Sequence, residues 1–169
     1  KHLALNNRGG ERAAPSFPVG QAMKHRQDYE IVLKLLRSGA LEQAEKEYYR
    51  LGLHEIKGDE DILALGGRLL KTKALEQSGE ARASLAYEAG LRYHDAYRDT
   101  GGTYTGINTA SLYLVGGNER RAYRIASEVA EKLKSISPQP GEDAYFHMAT
   151  AAEASLILGD VRQARACLE

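Results

Sequence analysis

The sequence predicts an all-α fold, an α-solenoid of about four helical hairpins, and two observations lead to this prediction. First, a glycine that ends one helical pattern is followed five residues later by alanine in Gly39…Ala44, Gly117…Ala122 and Gly159…Ala164, with a degenerate copy at Gly79…Ser84. These glycines lie 38 to 42 residues apart, and solenoids of helix pairs repeat every ~34–47 residues. Second, apolar residues recur at helical spacing from residue 21 onward, without a competing period-two run of β-branched residues.

Eight helices are predicted, and their boundaries fall on residues that start or stop a helix. Glycine supplies the left-handed turn after a helix, whereas aspartate, threonine or asparagine caps the start of one. Asp59 is therefore expected to cap the third helix and Thr103 the fifth, and the proline-containing segment 137–141 separates the sixth from the seventh. The predicted helices cover residues 21–38, 41–53, 60–77, 81–99, 103–115, 119–135, 142–158 and 160 onward.

Each of these helices has a face to bury. Steps of three and four residues place apolar side chains on one side of each of the first four helices: Tyr29, Val32, Leu33 and Leu36, then Leu41, Ala44, Tyr48 and Leu51, then Ile62, Leu65, Leu69 and Leu70, then Leu85, Ala89, Tyr93 and Tyr97. The later helices follow from the breaks at Gly101-Gly102, Gly116-Gly117 and Gly159. Because one hairpin cannot bury its apolar face alone, such units stack on their neighbours.

Two regions are expected along the chain. Residues 1–20 lack an apolar period and carry several glycines and prolines, so we interpret them as an irregular arm or linker. Residues 21–169 form the repeat domain. Because the chain begins at Lys1 without methionine and stops inside a helical pattern, we expect it to be a fragment of a longer protein.

Composition excludes several classes of partner. Lys plus Arg and Asp plus Glu balance at 23 each, so no net field attracts nucleic acid or an anionic membrane. The one cysteine rules out an intramolecular disulfide framework and, with no signal-peptide pattern, favours a cytoplasmic protein. No apolar run approaches the ~20 residues of a membrane span.

The hairpins fit the tetratricopeptide pattern, in which a small residue lets paired helices approach closely. Within it, the stretch 97–110, which reads YRDTGGTYTGINTA, and the segments 149–154 and 158–160 carry a narrower likeness. They resemble the TRAFs-binding tetratricopeptide region of bacterial proteins and of the central regulatory segment of apoptosis signal-regulating kinases. The resemblance covers about residues 93–166, and earlier residues match as generic helical repeats. It implies a scaffold that engages partner proteins and regulates a neighbouring enzymatic domain.

In tetratricopeptide arrays the first helix of each hairpin lines the concave surface. Aligning the hairpins on their turn glycines predicts the partner-binding groove, whose polar and aromatic members are Arg26, Tyr29, Lys73, Tyr104, Asn108, Ser111, Phe146, Thr150 and Glu153. Tyr104 and Asn108 are the expected anchors, since they lie four residues apart on one helix face. In the alternative interpretation Asn108 is a structural amide. Glu153, flanked by small residues, is expected to be a buried carboxylate that needs either a structural donor or a groove contact.

Other motifs favour structural roles over chemistry. The turn Gly101-Gly102-Thr103 precedes a helix N-terminus that could hold an anion, but it lacks dinucleotide and P-loop spacing and is interpreted as a tight turn between repeats. The pair His94-Asp95 resembles metal ligands of phosphohydrolases, yet further ligands would have to come from distant hairpins. Cys167 is interpreted as a packing residue, His147 as a partly buried histidine, and the arginines 120, 121 and 124 as a solvated face.

The sequence thus predicts a non-catalytic, helical-repeat scaffold that binds a protein or peptide partner in its concave groove. No cofactor, metal, nucleic acid or membrane partner is implied. The alternative is a small-molecule-sensing domain that controls an attached enzyme. The last hairpin has no polar capping helix behind it, so self-association through that uncapped hairpin is also expected.

Overall fold

The computed structural model describes residues 19–168, and within them it contains α-helices, one short 3-10 helix and no strand. The eight α-helices are α1 (Val19–Arg37), α2 (Leu41–Arg50), α3 (Glu60–Leu75), α4 (Gly79–Thr100), α5 (Thr103–Val115), α6 (Glu119–Lys134), α7 (Glu142–Ile157) and α8 (Val161–Ala166). Successive helices pack on one another, and the first helices of neighbouring hairpins also touch, α1 with α3, α3 with α5 and α5 with α7. The predicted all-α solenoid of four hairpins is confirmed.

Helix boundaries mostly follow the sequence signals. Asp59 caps α3 as predicted, because its Oδ1 accepts hydrogen bonds from the backbone N–H groups of Asp61 at 3.0 Å and Ile62 at 3.2 Å. The second helix ends earlier than expected, since Gly52 adopts φ 66° and the chain then forms a 3-10 turn at Leu53–Glu55. The predicted arm 1–20 falls almost entirely on residues 1–18, outside the described residues, and Val19 and Gly20 already belong to α1.

The glycine–alanine repeat marks real packing positions in three hairpins. Ala44 and Ala122 have no exposed surface and Ala164 is 3% exposed. The copy in the second hairpin, Gly79…Ser84, does not mark the equivalent packing position, because Ser84 is exposed and Gly79 is the first residue of α4. Further along α4, Ala86 and Ala89 are buried in its place, with 1% and 0% of their surface exposed.

Tyrosine rings packed on glycines hold the middle of the array together. A Cβ atom added to Gly67 of α3 would lie 2.5 Å from the ring of Tyr93 of α4. One added to Gly90 of α4 would lie 2.8 Å from the ring of Tyr113 of α5. Real Cβ atoms do not approach other atoms so closely, so α3, α4 and α5 can take these positions only with glycine there.

Toward the C-terminal end, alanines rather than glycines allow the helices to pack closely. The α5–α6 contact is lined by Ala110, Ala122 and Ala126, each without exposed surface. At the end of the array the outer side of the last hairpin carries large apolar side chains that remain exposed among the described residues: Tyr145, Met148, Leu156, Leu158, Val161 and Leu168. Self-association through this hairpin stays a prediction.

Substituting the buried alanine in α6 tests the register. We expect Ala122→Leu to lower the free energy of unfolding by about 1–3 kcal/mol, because added methyl groups have no room at a fully buried position. Ser84→Leu is the matched control: its side chain is exposed, so stability should stay within about 0.5 kcal/mol. Urea unfolding followed by circular dichroism measures both. Equal losses in the two variants would contradict the corrected register.

Candidate functional site

The first helices of the four hairpins form one continuous surface, which we call the first-helix wall. Polar side chains bridge each neighbouring pair of these helices. Four contacts do so: Arg26 with Asp61, Arg68 with Tyr104, Lys71 with Asn108, and Ser111 with Glu153. Many polar side chains of the wall therefore bind one another between hairpins. What the wall can offer a ligand depends on the charges and hydrogen-bonding groups that these contacts do not neutralise.

Between α1 and α3 the wall is electrostatically balanced. The Nη1 atom of Arg26 donates to Oδ2 of Asp61 at 2.9 Å. The guanidinium carbon of Arg26 also lies 4.8 Å from the ring centroid of Tyr29, whose side chain is 3% exposed. Burial lowers the pKa of Arg26, but the hydrogen bond and charge of Asp61 raise it by more. This end of the wall is a compensated ion pair stacked on an aromatic ring.

Between α3 and α5 two cations contact neutral groups. The Nη2 atom of Arg68 donates to the hydroxyl of Tyr104 at 2.7 Å, and Nζ of Lys71 donates to Oδ1 of Asn108 at 2.8 Å. The amide of Asn108 is itself fixed, since Nδ2 donates to the carbonyl oxygen of Tyr104 at 2.9 Å. Among residues 19–168 no carboxylate lies within ion-pair distance of Arg68 or Lys71. Within that part of the chain, the centre of the wall therefore carries two positive charges without a carboxylate counter-ion.

Between α5 and α7 the predicted site residues lie at different depths. Thr150 is buried at 6% exposure, whereas Phe146 is partly buried, with its ring edge-on to Tyr145. Glu153 is exposed and accepts a hydrogen bond from the Ser111 hydroxyl. The expectation of a buried Glu153 is therefore wrong, because the small residues around it leave its side chain open to solvent. The contact with Ser111 is the structural donor that the alternative required.

Lys73 does not join the other predicted residues. Its Nζ lies 2.6 Å from Oε1 of Glu45 on α2, so it points toward a second helix and away from the wall. Sequence reasoning instead missed Asp61, Arg68 and Lys71.

Arg68 and Lys71 were missed because of the register of the second hairpin. In the other hairpins the turn glycine stands two residues after the end of the first helix, as Gly39 follows Arg37 and Gly117 follows Val115. The third helix ends at Leu75, so Gln77 occupies that place and Gly79 lies two residues too far. Counting back from residue 77 aligns Arg68 with Asn108 and Lys71 with Ser111. The end of the α3 helical pattern, used in place of the glycine, is the signal that finds them.

The glycine-rich turn before α5 is a joint between repeats, as the structural interpretation expected. The Oε1 atom of Glu60, at the start of α3, accepts from the backbone N–H of Thr105 at 3.1 Å and from its hydroxyl at 2.9 Å. Thr103 is therefore not the cap that was predicted: it is the first residue of α5, and Gly102 holds the cap position without a side-chain bond. A Cβ on Gly102 would lie 1.9 Å from the Glu60 carboxylate. The anion at this helix N-terminus is thus a carboxylate of the chain itself.

Comparison with known families agrees with this architecture. The sequence model of the family described as Tetratricopeptide Repeats-Sensor matches residues 11–113, more than half of the chain. The chain belongs to the Tetratricopeptide Repeats-Sensor family. No curated protein and no solved structure matches it significantly. The match covers the first hairpins, which the sequence analysis took as generic repeats, and the narrower likeness to the TRAFs-binding region stays a prediction.

The other residues that the sequence singled out are His94, His147 and Cys167. His94 is partly buried, and its ring centroid lies 5.8 Å from that of Tyr113. Within residues 19–168 no group of three or more His, Cys, Asp or Glu side chains is arranged to hold a metal ion. Cys167 is buried and unpaired, and His147 is partly buried. No described helix has both the length and the apolarity to cross a membrane.

A cleft also lies on the side of the second helices in this Tetratricopeptide Repeats-Sensor chain. It occupies about 590 Å³ between α2 and α4, above the α3 residues Gly66, Leu69 and Leu70. Aromatic side chains of Tyr48 and Tyr49 line one side, whereas the α4 side carries charged groups. This volume is within the ~300–1,000 Å³ of small-molecule sites. The cleft lies apart from the predicted groove residues of α5 and α7.

The hydrogen bonds between Glu60 and Thr105 should stabilise the contact between α3 and α5. We expect Glu60→Ala to lower the free energy of unfolding by about 0.5–2 kcal/mol, because α5 loses the acceptor at its N-terminus. Glu80→Ala, in the exposed first turn of α4, is the control and should cost less. Chemical unfolding of both variants measures the difference. Identical stabilities of Glu60→Ala and wild type would remove the capping role.

Asn108 should contribute to stability as well as to the wall. Its side chain is 8% exposed and makes two hydrogen bonds. We expect Asn108→Ala to cost about 1–3 kcal/mol, because the Tyr104 carbonyl and the Lys71 ammonium lose their partner. A thermal melt monitored by circular dichroism tests this; Ser111→Ala on the same helix loses one solvent-exposed hydrogen bond, to Glu153, and should lower the melting temperature less. An unchanged melt for Asn108→Ala would favour the anchor interpretation over the structural one.

Proposed function

We propose that the chain is a non-catalytic regulatory module that binds a small anionic ligand at the centre of the first-helix wall. The observation that carries this proposal is the pair Arg68 and Lys71, two cations three residues apart on α3 whose contacts are neutral. Elsewhere on the chain cations close to the wall are paired, as Arg26 is with Asp61 and Lys73 with Glu45. A bound anion would neutralise the charges of Arg68 and Lys71.

The chemistry of Arg68 fits recognition of an oxyanion. Burial lowers its pKa, but the neighbouring hydroxyls of Tyr104 and Tyr93 raise the pKa by more, so the guanidinium stays charged. Its carbon lies 5.9 Å from the ring centroid of Tyr104, and the hydroxyls of Tyr104 and Tyr93 beside it take part of its five N–H donors. The others can bind carboxylate or phosphate oxygens in the forked geometry that guanidinium favours.

The surroundings favour a compact ligand over a long peptide. On one side the wall is occupied by the Arg26–Asp61 pair, and on the other by the Ser111–Glu153 contact. The section with uncompensated charge is thus confined to α3 and α5, beside the rings of Tyr29 and Tyr104. The family description, which includes the word sensor, supports the same class of function. Because the ligand would touch helices of two successive hairpins, its binding would be coupled to how those hairpins pack.

A protein or peptide partner is the second candidate, and it was the first choice from the sequence. It is favoured by the extent of the wall, whose side-chain contacts run from α1 to α7. In this case the partner would present an acidic segment to Arg68 and Lys71. The TRAFs-binding resemblance, with its regulatory scaffold role, belongs to this candidate.

Binding measurements on charge variants test the proposal. Wild type is screened by thermal shift against phosphorylated and carboxylated small molecules and against acidic peptides, and hits are measured by calorimetry. We expect a small anion to bind and Arg68→Gln or Lys71→Gln to weaken it at least roughly tenfold, since a charged hydrogen bond is worth about 1.5–3 kcal/mol. Lys34→Gln, an exposed lysine of α1, is the control and should bind normally.

The outcomes separate the candidates. Binding of acidic peptides alone, with the same sensitivity to Arg68 and Lys71, would favour the protein-partner function. Anion binding that is unaffected by either substitution would overturn the assignment of this site.

A further inference from the structure

The side of the second helices carries another basic site, which the first-helix wall does not use. We call it the α4–α6 seam, and its members face one another from two helices across a tyrosine of α5. They are Tyr87, His94 and Arg98 on α4, Tyr113 on α5, and Arg121 and Arg124 on α6. Residues 87, 94 and 98 recur at helical spacing, as do 121 and 124, so each set shares one helix face.

Contacts across the seam hold these side chains together. The Nη1 atom of Arg121 donates to the Tyr87 hydroxyl at 3.1 Å. The guanidinium carbon of Arg121 lies 5.7 Å from the ring centroid of Tyr113. The ring centroids of Tyr87 and His94 lie 5.7 Å and 5.8 Å from that of Tyr113. The four side chains thus form one cluster centred on the Tyr113 ring.

The buried hydroxyl at the centre of this cluster has no acceptor for its proton among the described residues. Tyr113 has no exposed surface, and among the described residues its hydroxyl proton has no acceptor, because the neighbouring Arg121 guanidinium can only donate. Buried polar groups in folded proteins are nearly always hydrogen-bonded, so an unpaired one needs an explanation. Here the hydroxyl belongs to a ring flanked by Arg121 and His94, where an added acceptor would satisfy it.

The seam is also poorly neutralised. Among the described residues Arg98 and Arg121 have no carboxylate within ion-pair distance, and Arg124 reaches only Glu128, at 3.9 Å. The pKa of His94 is lowered by burial and then by Arg124, against the opposing charge of Asp95. Arg98 and Arg121 lower it further. The three guanidinium groups thus act on His94 together, and one nearby carboxylate, that of Asp95, opposes them.

We propose that the α4–α6 seam binds a tetrahedral oxyanion of the phosphate class between Arg121 and Arg124, with His94 and the Tyr113 hydroxyl as further donors. Guanidinium groups from one face of α6 match the spread oxygens of a dianion. The buried hydroxyl gains the acceptor it lacks. This site is separate from Arg68 and Lys71, which lie on the first-helix wall, and it stands independently of the function proposed there.

His94 provides a local readout of occupancy. The charged and titratable groups that face it are Asp95 and Arg98 on α4, Tyr113 on α5, and Arg121 and Arg124 on α6. A bound dianion favours the protonated imidazole, because it offsets the charge of the arginines. Binding should therefore raise the pKa of His94, and by linkage the anion should bind more tightly as the pH falls through that pKa.

The experiment titrates the histidine Hε1 signals of the 169-residue chain by NMR, in sodium sulfate and in sodium chloride at equal ionic strength. Sulfate is the probe because it keeps a constant charge over the titration. We expect the pKa of His94 to be higher in sulfate by roughly half a unit or more, and that of His54, outside the seam, to be equal in both salts.

Variants assign the effect to the seam. Arg121→Gln and Arg124→Gln should each reduce the sulfate-dependent rise, whereas Lys134→Gln, in the last turn of α6 and paired with Glu131, should keep it. Arg68→Gln should also keep it, which separates this site from the first-helix wall. An equal pKa of His94 in the two salts, an equal shift of His54, or a rise that survives both seam substitutions would overturn the proposal. Circular dichroism confirms that each variant is folded.

Discussion

Close contact between tyrosine rings and glycine backbone is the constraint on which the middle of this structure depends. The ring of Tyr93 occupies the space where Gly67 would otherwise carry a side chain, and Tyr113 does the same at Gly90. Each tyrosine ring fills the space beside a glycine, which has no side chain. The helix axes can therefore approach closely while the core stays densely packed. Glycine inside a helix destabilises it relative to alanine, and the packing of the tyrosine rings compensates for this loss of stability.

This packing places the first helices of neighbouring hairpins near enough for side chains to cross between them. The joint is fixed by Glu60, which reaches from the start of α3 to the N-terminus of α5. With α3 and α5 held in that register, Lys71 meets Asn108 and Arg68 meets Tyr104. The two cations at the centre of the wall are thus positioned by backbone packing, and their neutral partners leave the charge available to a ligand.

The two sides of the solenoid differ in how their charged side chains are paired. On the first-helix wall an ion pair and neutral hydrogen bonds lie between hairpins, so any ligand there would contact two repeats at once. On the other side α4 and α6 face each other across α5, and the arginines of α6 lie beside the buried Tyr113. A repeat module whose overall charge is zero can therefore still present two locally basic sites.

The sequence by itself determined the fold class, the helices and most turns, because apolar period, glycine and capping residues act over a few neighbouring positions. It placed Arg26, Tyr104, Asn108 and Ser111 on the wall for the same reason. Tertiary structure decided the rest. The register of the second hairpin depended on where α3 ends, so Arg68 and Lys71 were missed. Exposure of Glu153 and capping of α5 by Glu60 depend on residues some 42 to 45 positions apart, which local patterns cannot relate.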